Sequence, residues 1–363
     1  MSDLEKLKSQ FQTVTFPCEI CGCAEMWQFQ EYGRVAEPGA YGQVPIAICS
    51  WCGFKMQNPR FEDSFYTHYY RVMYRSVAFG AKKPSSEYIA QQRDRGLKLL
   101  DFLKRQTKHI EPGKMLDHGC ASGATMIGWR DAGWDVCGID PHQPSVDEAK
   151  AIGLDVRLGV GESLPFADGS FDLVLSLGST EHSYNLDSTM REIYRVIKPG
   201  GKLIIRWRSN DIFGSPLEYY NHNHYRFFTR NSWNLCLKRY GFRVDVLSDE
   251  RVEGWDSYEY IVASKSGFVV KDLIGLFENQ ETDDPQLELK KIDDIRKSYY
   301  ERCKRFISVY AAFECRPDEL VNHLRRNPDL KWGWLGGAPD VVTARSFKEA
   351  NWYITEYEAG RVR

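Results

Sequence analysis

From Lys114 onward, short apolar runs alternate with segments whose apolar residues recur every three or four positions. That alternation predicts a parallel sheet covered by helices on both faces. Met115-Leu-Asp-His-Gly-Cys-Ala-Ser-Gly123 reads as a strand end, a glycine-rich turn and the start of a helix running to about Ala132. Strands are expected at Trp134 to Asp140 and Lys202 to Trp207, then a helix from about Asn231 to Tyr240 and strands at Phe242 to Leu247 and Tyr258 to Ala263. Ahead of this block, Phe61 to Arg75 and Ser86 to Lys104 carry apolar residues at helical spacing, the second through Tyr88, Ile89, Leu97, Leu100 and Leu103. Helix-face packing explains Tyr66, Tyr69, Tyr70, Tyr74 and Arg75 as well as a ligand role does. Earlier still, Trp27, Phe29, Tyr32, Val44, Ile46 and Ile48 suit the short strands of a hairpin. The chain therefore divides into a module at 1–60, a helical lead-in at 61–109, a main domain at 110–265 and an extension at 266–363.

The extension carries an amphipathic helix with Ile292, Ile295, Tyr299, Phe306, Val309 and Phe313 on one face. That face is to be buried on the first module, on the main domain or on a second copy, so a homodimer is one of three arrangements of equal standing. Trp332 and Trp334 stand among glycines near the end, where core packing is preferred over a stacking surface.

Five of ten cysteines precede residue 53. Two C-x-x-C pairs, Cys18-Glu-Ile-Cys21 and Cys49-Ser-Trp-Cys52, are each followed by a glycine that lets the chain turn its amides toward the sulfurs. Two such pairs make a closed four-thiolate site, so the first module reads as a zinc ribbon holding structural Zn2+ through Cys18, Cys21, Cys49 and Cys52. Cys23 competes with Cys21 as a ligand and ranks below it because its spacing is C-x-C.

With 42% hydrophobic and 27% charged residues, the chain has the composition of a soluble globular protein, which excludes wholesale disorder. No apolar run of about 18 residues is present and Met1 to Gln10 is charged, so a soluble, cytoplasmic protein without membrane insertion is expected. A formal charge of −2 disfavours a nucleic-acid partner without excluding a local basic patch.

The pattern Asp117-x-Gly119-x-x-x-Gly123 fits a turn against which a ligand lies, and Asp140 ends the next strand where an acid can accept both hydroxyls of a ribose. The turn is not G-x-G-x-x-G, which favours an adenosyl ligand without a pyrophosphate.

Together with Gly161-Glu-Ser-Leu-Pro-Phe-Ala-Asp-Gly-Ser-Phe-Asp-Leu-Val-Leu-Ser176, Glu181-His182 and Arg191-Glu-Ile-Tyr-Arg-Val-Ile-Lys-Pro-Gly-Gly-Lys-Leu203, these pieces resemble class I S-adenosylmethionine-dependent methyltransferases. The resemblance covers about residues 110 to 265. It implies an α/β fold with a Rossmann-like seven-stranded mixed sheet, flanked here by the zinc ribbon and a helical C-terminal extension. It also implies S-adenosyl-L-methionine as cofactor. Gly119, Cys120, Ala121 and Gly123 would then line the methionine portion with Asp117 fixing the turn, and Asp140 would hold the ribose. Glu162, Ser163 and Leu164 would edge the adenine, and Ser176 and Leu177 would run past the sulfonium. Val160 stands where many relatives have an acid.

Methyl transfer is an in-line displacement, and a hydroxyl acceptor needs a base. Glu181-His182 follows the fourth strand, and Asn221-His-Asn-His-Tyr-Arg-Phe-Phe-Thr229 follows the fifth. The second stretch resembles an element of small-molecule and sugar methyltransferases. His224 is the first choice of base, with Tyr225 and His222 as substrate contacts and Glu181-His182 as the other candidate. The expectation is O-methylation of a small molecule or sugar. RNA base methylation is the alternative, lowered by the absence of N-P-P-Y or a catalytic cysteine pair. A non-catalytic scaffold is a further alternative, opposed by the intact turn and Asp140.

Overall fold

The computed structural model describes residues 7, 9–28, 45–72, 85–107, 110–207, 224–248, 252, 258–267, 282–288 and 290. Phe29, Tyr32, Val44, Tyr74, Arg75, His222, the amphipathic face from Ile292 to Phe313 and the Trp332 and Trp334 segment lie outside them.

The main domain is one seven-stranded sheet. Its strands are β6 (Lys114–His118), β7 (Asp135–Asp140), β8 (Asp155–Leu158), β9 (Phe171–Leu177), β10 (Ile197–Trp207), β12 (Phe242–Ser248) and β13 (Glu259–Lys265), in the order β12-β13-β10-β9-β6-β7-β8. β13 runs antiparallel to both neighbours and the other pairings are parallel, so the sheet is mixed as expected. Strand sides alternate with period two. Leu116, Leu203 and Ile205 face one core with helices α5 (Leu186–Val196) and α6 (Arg230–Arg239). Met115, Leu173 and Ile204 face the other with α2 (Ser86–Gln106) and α3 (Ala124–Asp131). Both faces are covered along the centre of the sheet, so β9 and β13 are buried along most of their length, while the edge strands β8 and β12 keep exposed polar positions. α4 (Gln143–Ala151) packs beside β7 and β8.

α6 begins where Thr229 and Ser232 form a reciprocal capping box, satisfying amides that the first turn leaves open. α2 is capped by Ser85, whose side chain accepts from the Tyr88 amide. The lead-in helix α1 (Asp63–Val72) buries Phe65, Tyr66 and Tyr69.

The cysteine-bearing module does not stand apart. β2 (Met26–Gln28), β3 (Ile46–Cys49) and β4 (Lys55–Gln57) form its antiparallel hairpin strands, while β1 (Thr13–Val14) pairs with β5 (Arg60–Phe61). The edge of β4 is taken by β11 (Arg226–Phe227), a strand from the loop ahead of α6, giving a four-stranded sheet β11-β4-β3-β2. Ile20, Phe54 and Met56 share one core with Trp233 and Leu237 of α6. Of the extension, Glu288 reaches the module in a buried ion pair with Lys55, and Asp283 accepts from Thr229 of the main domain. Among the described residues no helix is long and apolar enough to cross a membrane.

Candidate active site and cysteine cluster

Asp117, Asp140, Leu177 and Arg206 sit at or next to the carboxyl ends of β6, β7, β9 and β10, the edge where α/β sheets place ligands. Between β6 and α3 the chain turns through positive φ at Gly119 (77°), Ala121 (49°) and Gly123 (70°). A Cβ on Gly119 would lie 2.5 Å from the Ser179 Cβ, and one on Gly123 2.7 Å from Leu154 Cδ1. Glycine is therefore demanded here by handedness and by protein packing, a reason the spacing alone did not reveal. Gly119 and Ala121 remain exposed, so the turn offers its outer surface to a ligand.

Asp140 has a second role. Its Oδ2 accepts from the Ala121 amide at 2.8 Å and its Oδ1 from the His142 amide at 2.9 Å. The carboxylate thereby braces the turn while each oxygen keeps acceptor capacity for a diol. This backbone-held acid beside an exposed glycine turn fits an adenosyl ligand. Asp117 lies beneath, where burial raises its carboxyl to about 7, against the pull of Arg206 and with the help of Asp140. Burial also lifts the Cys120 thiol well above its usual range, so it stays protonated and inert.

His118 is buried beside Ser179, with Nδ1 3.0 Å from its Oγ, and Ser176 Oγ continues the chain to Ser179 and Thr180 at 2.9 and 2.6 Å. Burial lowers the imidazole to about 4 and leaves Nε2 without a partner. A Cβ at Gly161 would stand 2.0 Å from that nitrogen, so residue 161 must be glycine while residue 118 is histidine. In the following loop, Glu162 accepts from the Asn185 amide, Leu164 is buried with its amide held by Glu192, and Ser163 is exposed.

On the other side, β9 leads into a single 3-10 turn, Thr180–His182. The rings of His182 and His224 lie 4.6 Å apart at 60°, and Tyr70 Oη is 3.2 Å from His182 Nδ1. Two candidates far apart in sequence thus share one place. Tyr225 is fully buried with Phe65, Tyr66 and Tyr69, its ring 4.4 Å from that of Tyr66. The backbone here is tied to its surroundings: the Tyr225 amide donates to Glu181 O, and Gln57 donates to His224 O and Tyr225 O, each at 2.8 Å.

Cys18, Cys21, Cys49 and Cys52 converge with their sulfurs within 4.8 Å of one another, all buried. The sulfurs of Cys18 and Cys52 are 3.6 Å apart and those of Cys21 and Cys49 3.5 Å, close to the ~3.8 Å edge of a tetrahedron with metal–sulfur bonds of about 2.3 Å. The two knuckles are alike: Gly22 and Gly53, at φ of 80° and 71°, donate to Cys18 O and Cys49 O. Mutual contacts push Cys18 and Cys52 up and Cys21 and Cys49 down, the response of thiols too close together to ionise independently. Cys23 turns toward Ser50 and Glu25 and lies outside the cluster.

Inside the first knuckle, Glu19 accepts from both Arg60 and Arg226, at 2.6 to 3.2 Å. The two arginine side chains are 1% and 0% exposed and the Glu19 side chain 13%. Burial alone would raise Glu19, but Arg226 and Arg60 overcome it and hold its carboxyl below the usual range. The same guanidinium groups donate to Ser183 O and Tyr184 O, and Arg239 donates to Glu19 O and Ile20 O.

A family model described as a methyltransferase domain matches residues 116–205, from β6 through β10. Residues 116–205 thus carry a methyltransferase domain. Curated relatives include a sterol 4-C-methyltransferase of Caenorhabditis elegans, 30% identical over 44% of this chain and 52% of that protein. Another is a malonyl-[acyl-carrier protein] O-methyltransferase of Pseudescherichia vulneris, 29% identical over 35% and 50%. The chain spans about half the length of these relatives. Among solved structures, a possible histamine N-methyltransferase of Thermotoga maritima is 19% identical, with a TM-score of 0.39 over 50% of this chain and 94% of that one.

Around the methyltransferase domain, sequence reasoning missed Gln57, Glu19, Arg60 and Arg226. One signal was available: Glu19 is the charged residue enclosed between two metal-ligand positions, where a carboxylate has to find a partner.

Proposed function

We propose that this protein transfers the methyl group of S-adenosylmethionine to a small molecule or sugar, by O-methylation with His224 as the base. The observation that carries this reading is the combination of Asp140 bracing an exposed turn with the edge-to-face imidazoles of His182 and His224 in the loops after β9 and ahead of β11. When bound, S-adenosylmethionine supplies an electrophilic methyl carbon on a sulfonium. Asp140 would hold the ribose hydroxyls, the backbone from Gly119 to Ala121 would support the methionine portion, and Glu162 and Leu164 would border the adenine. His224 would take the acceptor proton at a ring nitrogen, and Tyr70 would fix the orientation of His182 through Nδ1. The acceptors named for the relatives, a sterol and a malonyl-[acyl-carrier protein], support a small acceptor group without specifying it.

The cysteine cluster is read as a structural Zn2+ site. Four thiolates close the tetrahedron and leave no position for water or substrate, so its part is to hold the module together.

Calorimetry with S-adenosylmethionine tests the reading. Micromolar binding to the wild type and at least tenfold weaker binding to Asp140→Asn are expected, and no binding to the folded wild type refutes it. Mass analysis of a metabolite pool incubated with protein and donor then identifies the acceptor, with a gain of one methyl on oxygen expected.

A further inference from the structure

We infer that Glu19, enclosed in the first cysteine knuckle, is a positioning residue for both His182 and His224, so that metal held by the cysteines sets the acceptor wall of the site. The inference rests on the proposed reading of that wall, while the mechanical link stands on contacts alone.

Neither histidine is placed only by the sheet that carries the cofactor turn. His224 and Tyr225 hand their carbonyl oxygens to Gln57, and β11 just beyond them is zipped to β4 of the cysteine module. The turn carrying His182 is held at Ser183 O by Arg226 and at Tyr184 O by Arg60 and Arg226. Both guanidinium groups are buried, and both are oriented by the same acceptor, the Glu19 carboxylate. Glu19 in turn has little freedom. It lies between Cys18 and Cys21, whose sulfurs belong to the cluster, and its carbonyl is gripped by Arg239. A rigid path therefore runs from the thiolates through one carboxylate to two arginines, and from these to the two segments bearing imidazoles.

The alternative is that Glu19 merely neutralises buried charge. The two ideas differ in where the effect of removing it falls. Neutralisation alone predicts a general loss of stability shared by all parts of the core. Positioning predicts a local loosening of 181–184 and 224–228, with the turn at 117–123 unaffected because that turn is held by Ile139 and Asp140.

Hydrogen exchange on the full-length, metal-loaded protein distinguishes them, comparing wild type, Glu19→Gln and Glu19→Asp. In Glu19→Gln, amides in 181–184 and 224–228 should exchange at least tenfold faster, with the 117–123 turn within twofold of wild type. Cobalt-substituted Glu19→Gln should keep its thiolate charge-transfer absorption, which shows the cluster intact, and its affinity for S-adenosylmethionine should stay within twofold. Unchanged exchange at 224–228, or equal acceleration in both regions, overturns the inference. If Glu19→Gln does not fold, Glu19→Asp decides, since its shorter carboxylate keeps the charge but draws back from the two guanidinium groups: faster exchange at 181–184 and 224–228 with the 117–123 turn unchanged supports the path, and unchanged exchange in both segments overturns it. Failure of the methyltransferase reading would look different, as absent cofactor binding with the exchange pattern intact.

Discussion

Around Gly119 the chain is shaped by its own backbone: positive φ at three positions, amides donating to Ile139 O, and one carboxylate accepting two nearby amides. Around His182 and His224 the chain is instead held by side chains that arrive from a different part of the sequence: Gln57 donates to His224 O, Arg60 donates to Tyr184 O, and Glu19 accepts from the Arg226 side chain. Two buried acids show the contrast. Asp117 lies where burial dominates and raises it to about 7, whereas Glu19 meets two guanidinium groups and is held low. On the proposed reading, the side that takes the methyl donor is specified by local geometry, while the side that takes the acceptor depends on distant partners.

The strongest way to break that contrast is to remove the cluster. Cys49→Ser, or chelation, would abolish the proposed Zn2+ site, and structural zinc in comparable small sites is worth about 10 kcal/mol or more. Exchange protection should vanish in β3, β4 and β11 while β6 and β7 stay protected; joint melting of both regions would abolish the distinction. Arg226→Ala should come next, at about 3 to 5 kcal/mol in a urea titration, because it leaves Glu19 with one arginine fewer in a dry site. A value below about 1 kcal/mol would place that pair among ordinary surface bridges.

Protons sharpen the comparison further. The folded pKa of Asp117 lies above its ordinary 3.8, so the native state binds more protons and stability falls as pH rises from about 4 to 7. Asp117→Asn should remove that slope, with a gain at pH 8 of at most ~4 kcal/mol, read from denaturant melts at pH 5 and 8. Glu19 has the opposite sign: its contribution is present above its ordinary 4.5 and is lost as pH falls through the depressed folded value. The smallest effect belongs to Cys23→Ser, which should change stability by less than about 0.5 kcal/mol and leave metal content per chain unaltered.

Much of the donor side was legible from Met115 to Asp140, because its shape follows from local rules: alternating strand faces, a glycine turn and an acid at a strand end. The four cysteines were legible for the same reason, since C-x-x-C followed by glycine is a local geometry. Cys23 was resolved only by where its side chain turns. What sequence did not reveal are matters of pairing at a distance. Nothing in Arg226-Phe227 says that it will complete the edge of Lys55–Gln57, and nothing in Glu19 says that its partners lie 41 and 207 residues away. Asp140 was assigned to a ribose from its position, while its hold on the Ala121 amide needed the turn itself. The contact between His182 and His224 likewise joins two loops whose only common feature in sequence was following a strand.

The strand that closes the cysteine module has a consequence for how the chain is made. Gln57 waits for His224, 167 residues later, and Lys55 waits for Glu288, 233 residues later. At typical translation rates of about 5 to 20 residues per second, the open edge of β4 stands exposed for roughly 8 to 33 seconds before β11 emerges. An unpaired edge is a template for association with other chains, and non-local pairing of this kind is slow to form. The nascent cysteine module is thus the part of this protein most in need of a chaperone's shelter, since its open edge is made well before the strand that closes it.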